Sequence, residues 1–242
     1  MSTKEILKES IPFKNPKEAV FTGNGWFVVG QSAGKKDIMA KKLEAEKSKR
    51  KVLLIGGVHG NETEGVRFMV DFCKEFAKDE QKSPFDFGLY LLPLLNPDGF
   101  FKYERKNAAG IDLNRNMSTK DWAEEYTEEK YNPGKYPGSE PESQILEQVV
   151  NMYKPNYIIS FHSWKPLINI NGPAEPFAEK MKNKLKMKIV KDIGYPTPGS
   201  LGTYAGWERN IPTITLEFER GMKLEEVYRY AKEGVLDSFT VL

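Results

Sequence analysis

"LIGGVHGNETEG", residues 54–65, sets an apolar run against a polar turn that carries a histidine and a glutamate three positions apart. The run "KVLLIGGV" predicts a buried strand, and Val66, Met69, Val70, Cys73 and Phe76 recur at helical spacing, so residues 62–78 are predicted to form a helix with one apolar face. Two accounts of the turn between them compete. Asn61 can cap the helix, with Glu64 three positions on as the reaching-back partner of a capping box. That account leaves His59 and Glu62 unexplained, and an imidazole and a carboxylate at this separation are donors that can converge on a cation. The histidine count bears on the choice: the chain holds two, His59 and His162, and each follows or ends an apolar strand. Two imidazoles and one carboxylate make the three-ligand set of a catalytic zinc, which leaves a fourth position open for water. Calcium or magnesium would call for more oxygen donors. The expectation is one zinc per chain, held by His59, Glu62 and His162.

Outward from this stretch, strand and helix patterns alternate. "AVFTGNGWFVVGQSAG" predicts two short strands around a Gly-Asn-Gly turn, "DIMAKKLEA" a further strand, and "FGLYLLPLLNPDG" an apolar strand ended by a turn. The polar, Pro- and Gly-rich stretch from Met117 to Pro141 predicts a long loop. "PESQILEQVVNMYK" predicts a helix, "NYIISFHS" a strand, "EPFAEKMKNKLKMKIV" a helix, "IPTITLEFE" a strand and "LEEVYRYAKEGVLDSF" a closing helix. This alternation predicts an α/β fold, a single domain over residues 1–242 with a central sheet flanked by helices. Ligands are then expected beyond the carboxyl ends of the strands, where His59, Asn96, His162 and Glu217 fall.

Composition narrows the partners. In 242 residues, 36 basic and 34 acidic side chains leave a net charge of +2, which argues against nucleic acid or a polybasic membrane contact. The first twenty residues lack the apolar core of a signal peptide, and no run approaches the ~20 apolar residues of a membrane span, so a soluble, cytoplasmic protein is expected. Cys73, the single cysteine, cannot form an internal disulfide and reads as core. Nothing indicates an obligate protein partner.

The ordered pieces "HGNE", "NPDG", "RKNAAGIDLNRN", "SFHS" and "ITLEFE", with "GQSAGKKDI" before them, resemble the zinc metallocarboxypeptidase family of the carboxypeptidase A type. The resemblance runs from about Gly30 to Phe218. Within the family, "VHGNETEG", "SFHSWKPLINING" and "GYPTPGSLGTYAG" are most similar to the compact bacterial murein peptide amidases, which cleave the bond between D-glutamate and meso-diaminopimelate. The resemblance implies a carboxypeptidase-like fold with a mixed, mostly parallel sheet, and a small murein peptide as substrate. It implies roles residue by residue: His59, Glu62 and His162 as zinc ligands, and Asp112 as the carboxylate orienting the first histidine. Asn114 and Arg115 would hold the substrate's free carboxylate, and Arg105 would stabilise the developing oxyanion.

Glu217 is the implied general base, taking a proton from the attacking water and delivering it to the leaving amine. In "IPTITLEFE", Ile214, Leu216 and Phe218 alternate with Thr213, Thr215, Glu217 and Glu219, a pattern that a half-exposed edge strand would also produce. The family's mobile tyrosine has two candidates, Tyr195 and Tyr204, with Tyr195 preferred. Two alternatives stand beside this reading: an N-acyl-amino-acid deacylase of the aspartoacylase type, which shares a similar opening motif, and a zinc-free peptide-binding module.

Overall fold

Eight strands, β1 (Trp26–Gln31), β2 (Asp37–Leu43), β3 (Lys51–Gly56), β4 (Gly88–Leu92), β5 (Tyr157–Trp164), β6 (Leu167–Asn171), β7 (Lys188–Val190) and β8 (Thr213–Glu219), join in one sheet. The computed structural model describes residues 25–77 and 81–242. The strand order is β1-β2-β4-β3-β5-β8-β6-β7. The central β4-β3-β5-β8 block is parallel, while β1, β2 and β6 join antiparallel to their neighbours and β7 runs parallel to β6. Among the described residues, five α-helices surround it: α1 (Thr63–Phe76), α2 (Pro97–Lys102), α3 (Pro141–Tyr153), α4 (Glu175–Leu185) and α5 (Leu224–Phe239).

The sheet separates two cores. On one face Phe68, Met69 and Phe72 of α1, Phe177 and Met181 of α4, and Val227 and Val235 of α5 pack on Ile159, Phe161, Leu216 and Phe218. Phe68 meets Phe161 with ring centroids 4.5 Å apart. Burying each such side chain contributes roughly 1.5–3 kcal/mol before the entropy of ordering it is subtracted. On the other face α3 and the irregular chain after β4 cover Leu53, Ile55 and Ile158. The period of two along β5 therefore sends Phe161 into the first core and Ser160 and His162 to the opposite face.

Several sequence expectations change. The turn expected at "NPDG" is the start of α2: Asn96 caps it by accepting the Gly99 N–H at 2.9 Å, and Pro97 occupies a position where no N–H is needed. The helix expected over "EPFAEKMKNKLKMKIV" stops at Leu185, Lys186 turns with φ 56°, and Lys188–Val190 pairs with β6 as β7. Leu167–Asn171 and the π-helical turn Gly202–Trp207 are elements that the apolar pattern does not reveal. The first of the two strands expected around the Gly-Asn-Gly turn, at residues 19–23, lies outside the described residues. β8 lies between β5 and β6, so its alternating pattern is not that of an edge strand.

Candidate metal centre and substrate cavity

Two short loops meet beyond the carboxyl ends of β3 and β4. Their approach is so close that a Cβ on Gly60 would stand 1.9 Å from the Gly99 carbonyl carbon, so only glycine fits there. Asn96 fastens the junction by donating from Nδ2 to the carbonyls of Val58 and Arg105, both at 3.3 Å. It is fully buried, and its work is structural. His59 leaves this loop, Glu62 stands at the N-terminus of α1, and His162 arrives from β5.

Donor atoms of His59, Glu62 and His162 all lie within 4.8 Å of one another. Glu62 Oε1 is 3.0 Å from His59 Nδ1, Oε2 is 2.8 Å from His162 Nδ1, and the two Nδ1 atoms are 3.2 Å apart. Each ring's far nitrogen has its own partner: His59 Nε2 lies 3.0 Å from Asp112 Oδ1, and His162 Nε2 lies 2.9 Å from Ser160 Oγ. An ionised Asp112 only accepts, so it assigns the proton of a neutral His59 to Nε2 and leaves the Nδ1 lone pair directed at the centre. Two imidazole nitrogens and a carboxylate, all buried and converging, fit a zinc ion.

The electrostatics agree with that chemistry. Burial alone would raise the pKa of Asp112, but the charges of His59 and Arg105 hold it well below the ordinary carboxylate range. Glu62 is likewise held low by both histidines against the cost of its burial. Arg105 grips Asp112 Oδ2 through Nε at 3.0 Å and Nη2 at 2.8 Å, which leaves Nη1 directed at Glu62 Oε1, 3.4 Å away.

These groups open onto a cavity of about 470 Å³ that Arg105, Asn114, Arg115, Tyr195, Glu217 and Arg220 also line. Parallel pairing places Glu217 of β8 directly beside His162 of β5. Glu217 Oε2 has no hydrogen-bond partner, and burial, reinforced by the charge of Glu62 and only partly offset by His162, pushes its pKa up to about 7. Arg115 donates to the Asn114 carbonyl at 2.7 Å and lies 5.1 Å and 5.9 Å from the ring centres of Tyr131 and Tyr195. Asn114 accepts the Leu201 N–H through Oδ1 at 3.0 Å, which directs its amide nitrogen elsewhere. Of the two tyrosines, Tyr195 lines the cavity, whereas Tyr204 is buried against Arg209 and accepts from Asn151 Nδ2 at 2.9 Å.

His59, Glu62, Arg105, Asn114, Arg115, His162, Tyr195 and Glu217 thus line this cavity and Asp112 stands directly behind it, whereas Asn96 and Tyr204 do not. The capping-box account does not hold: α1 has no side-chain cap bond at its N-terminus, and Glu64 instead accepts from Ser163 Oγ at 2.7 Å and the Gly221 N–H at 2.6 Å. Ser160 was not singled out from sequence, although the two-residue period from His162 places it on the same face. Nor were Tyr131 and Arg220, whose positions carry no local pattern.

Comparison with known proteins gives the same picture. A zinc carboxypeptidase family profile matches residues 26–195. The chain is 31% identical over 203 residues to murein peptide amidase A of Escherichia coli strain K12, covering 78% of this chain and 80% of that protein. The namesake from Vibrio campbellii is 29% identical over 177 residues, 68% of each protein. Among solved structures, the murein-tripeptide amidase of Escherichia coli O157 superposes with a TM-score of 0.73 at 26% identity, over 88% of this chain and 92% of the other. Carboxypeptidase A of Helicoverpa armigera shares the fold, with a TM-score of 0.74 at 15% identity over 89% of this chain and 66% of the other.

Proposed function

Since this chain belongs to the zinc carboxypeptidase family and is a hydrolytic enzyme, we propose that it cleaves the γ-D-glutamyl–meso-diaminopimelate bond of small murein peptides. The observation that carries the reading is Glu217: one unpaired carboxylate oxygen, on the strand next to His162, in the cavity that also holds Arg115. The similarity to murein peptide amidases over most of both chains supports the choice of substrate.

His59, Glu62 and His162 would hold the zinc. When bound, zinc supplies Lewis-acid polarisation of the scissile carbonyl and makes water easier to deprotonate. Arg115, with the amide of Asn114, binds a carboxylate of the diaminopimelate residue, for which a planar guanidinium offers two parallel hydrogen bonds. Asp112 fixes His59 and, through the same carboxylate, fixes Arg105. Nη1 of Arg105, 3.4 Å from Glu62 Oε1 and not held by Asp112, then donates to the carbonyl oxygen as it gains charge. Glu217 takes the proton of the attacking water and hands it to the nitrogen of the breaking bond, so diaminopimelate leaves with a neutral amine. Tyr195, beside Arg115, closes the cavity over the substrate.

The test is mass spectrometry of a digest of L-alanyl-γ-D-glutamyl-meso-diaminopimelate by the zinc-loaded protein. L-alanyl-D-glutamate and free diaminopimelate are the expected products. An intact tripeptide, with N-acetyl amino acids cleaved instead, would overturn the reading in favour of a deacylase.

A further inference from the structure

The cavity holds a second cationic wall that the mechanism above does not use. Arg220 follows β8 directly, and its guanidinium reaches Glu62 Oε1 at 3.3 Å, the Asn61 carbonyl at 3.3 Å and the Ser163 carbonyl at 3.1 Å. Two of the three contacts are long at 3.3 Å, two are to uncharged carbonyls, and the carboxylate oxygen already faces His59 and Arg105. A metal drawing on Glu62 leaves Arg220 without a carboxylate of its own, whereas Arg105 remains matched by Asp112. The side chain of Arg220 is 40% exposed, so its fork is open to a ligand. Beside it, Asn61 lines the same cavity, and its buried Oδ1 is an acceptor with no hydrogen-bond partner.

The backbone that carries Arg220 is fixed from below. Buried Glu64 accepts from Gly221 N and from Ser163 Oγ, and the Arg220 N–H donates to the Trp164 carbonyl at 3.1 Å. The sequence motif that supplies ligand Glu62 thus also supplies, two residues on, the group that sets the base of Arg220. Two cationic walls imply a substrate with two separated carboxylates. Arg115, among Asn114, Tyr131 and Tyr195, takes the one on the amine side. Arg220, among Asn61, Glu62 and Ser163, belongs to the other.

We propose that Arg220 and Asn61 form a subsite for a free carboxylate and an adjoining N–H on the acyl side of the scissile bond, with Glu64 as the positioning residue of Arg220. This rests on the proposed function: a glutamyl residue joined through its γ-carbonyl carries a free α-carboxylate on that side.

Two substrates test it: the tripeptide L-alanyl-γ-D-glutamyl-meso-diaminopimelate, and its isostere in which the glutamyl α-carboxylate is a carboxamide. The readout is the ratio of kcat/KM for acid over amide, taken within each zinc-loaded variant, so partial loss of metal or folded protein cancels. Wild type is expected to favour the acid by about tenfold or more, the usual strength of a charge-assisted pair. The ratio falls towards one in Arg220→Ala, stays intermediate in Arg220→Lys, and drops in Glu64→Gln through a higher KM for the acid. Where Arg220→Ala is too slow to assay, the ratio of dissociation constants in a Glu217→Gln background reads the same quantity. A wild type indifferent to the amide, or an Arg220→Ala variant with the wild-type ratio, overturns the subsite and leaves the bond assignment standing. Cleavage of neither peptide overturns the proposed function and the subsite with it.

Discussion

At the scale of single residues, the proposed function assigns holding metal and moving protons to different side chains. His162→Ala removes one of three donors and should abolish stoichiometric zinc, measured by atomic absorption after dialysis. Glu217→Gln keeps the shape of the cavity and should retain zinc while kcat drops at least ~100-fold, the usual reach of a positioned base. Glu219→Gln, two residues on and exposed, should change kcat little. The pKa shifts give a further expectation. For His59, burial and Arg105 lower the pKa, yet Glu62 and Asp112 outweigh them and leave it raised; for Glu217 the shift is up to about 7. Both groups therefore bind protons more tightly in the metal-free fold than in the unfolded chain. Their contribution to stability is present at low pH and is lost as pH rises through the folded values. Zinc requires a neutral imidazole, so its affinity moves the other way and falls as pH drops through the raised value of His59. Chelator competition between pH 5.5 and 8 should show that fall, and a metal affinity independent of pH would contradict it.

At the scale of elements, legibility followed apolar length. β3, β5, β8, α1, α3 and α5 each carry a long enough run or stripe to be read directly, and the parallel register that sets Glu217 beside His162 follows from two of them. β6 was not legible because "LININ" places asparagines at alternate positions, where they line the cavity. β7 was hidden because three residues after a lysine-rich helix continue its pattern until Lys186 turns the chain. The candidate site was legible wherever a residue type was rare, as for the two histidines, and illegible for Arg220, one of many basic residues. Packing of α1 on β5 gives a test at this scale. A Cβ on Gly65 would lie 2.5 Å from the Phe161 carbonyl oxygen, next in sequence to His162. Gly65→Ala should therefore cost ~1–3 kcal/mol, the range for overpacking a well-filled contact, and weaken zinc binding as well. Urea melts and metal titration of one preparation check both. Unchanged stability would mean that the helix can shift freely on the sheet.

At the scale of the whole molecule, the site depends on ties between distant parts of the chain. The segment "SAGKK", residues 32–36 after β1, encloses Asp98 of α2: Gly34 N donates at 2.8 Å and Lys36 Nζ at 2.5 Å, while Ala33 N donates at 2.9 Å to Glu142 of α3. Burial would raise the Asp98 pKa, but bonds from Lys36, Ser32 and Gly34 hold it below the ordinary value, so its stabilisation is present at neutral pH and is lost on acidification. Asp98→Asn should destabilise by ~1–3 kcal/mol at pH 7 and by progressively less as pH falls through the ordinary carboxylate range and below it, as read from urea midpoints. A metal held as proposed would be a longer tie. His59 and His162 are 103 residues apart in sequence, and the unfolded chain has no preformed site joining them. An ion that binds the folded state alone stabilises it by RT ln(1 + [L]/Kd), ~4 kcal/mol at a thousandfold excess over Kd. At ~2–4 °C per kcal/mol for a chain of this size, saturating zinc should raise Tm by roughly 10 °C over the chelated protein. His162→Ala should abolish that shift and Glu217→Gln should keep it, because only the first removes a donor. A calorimetric scan in which zinc moves both variants alike would show that the stabilising ion binds somewhere other than His59, Glu62 and His162.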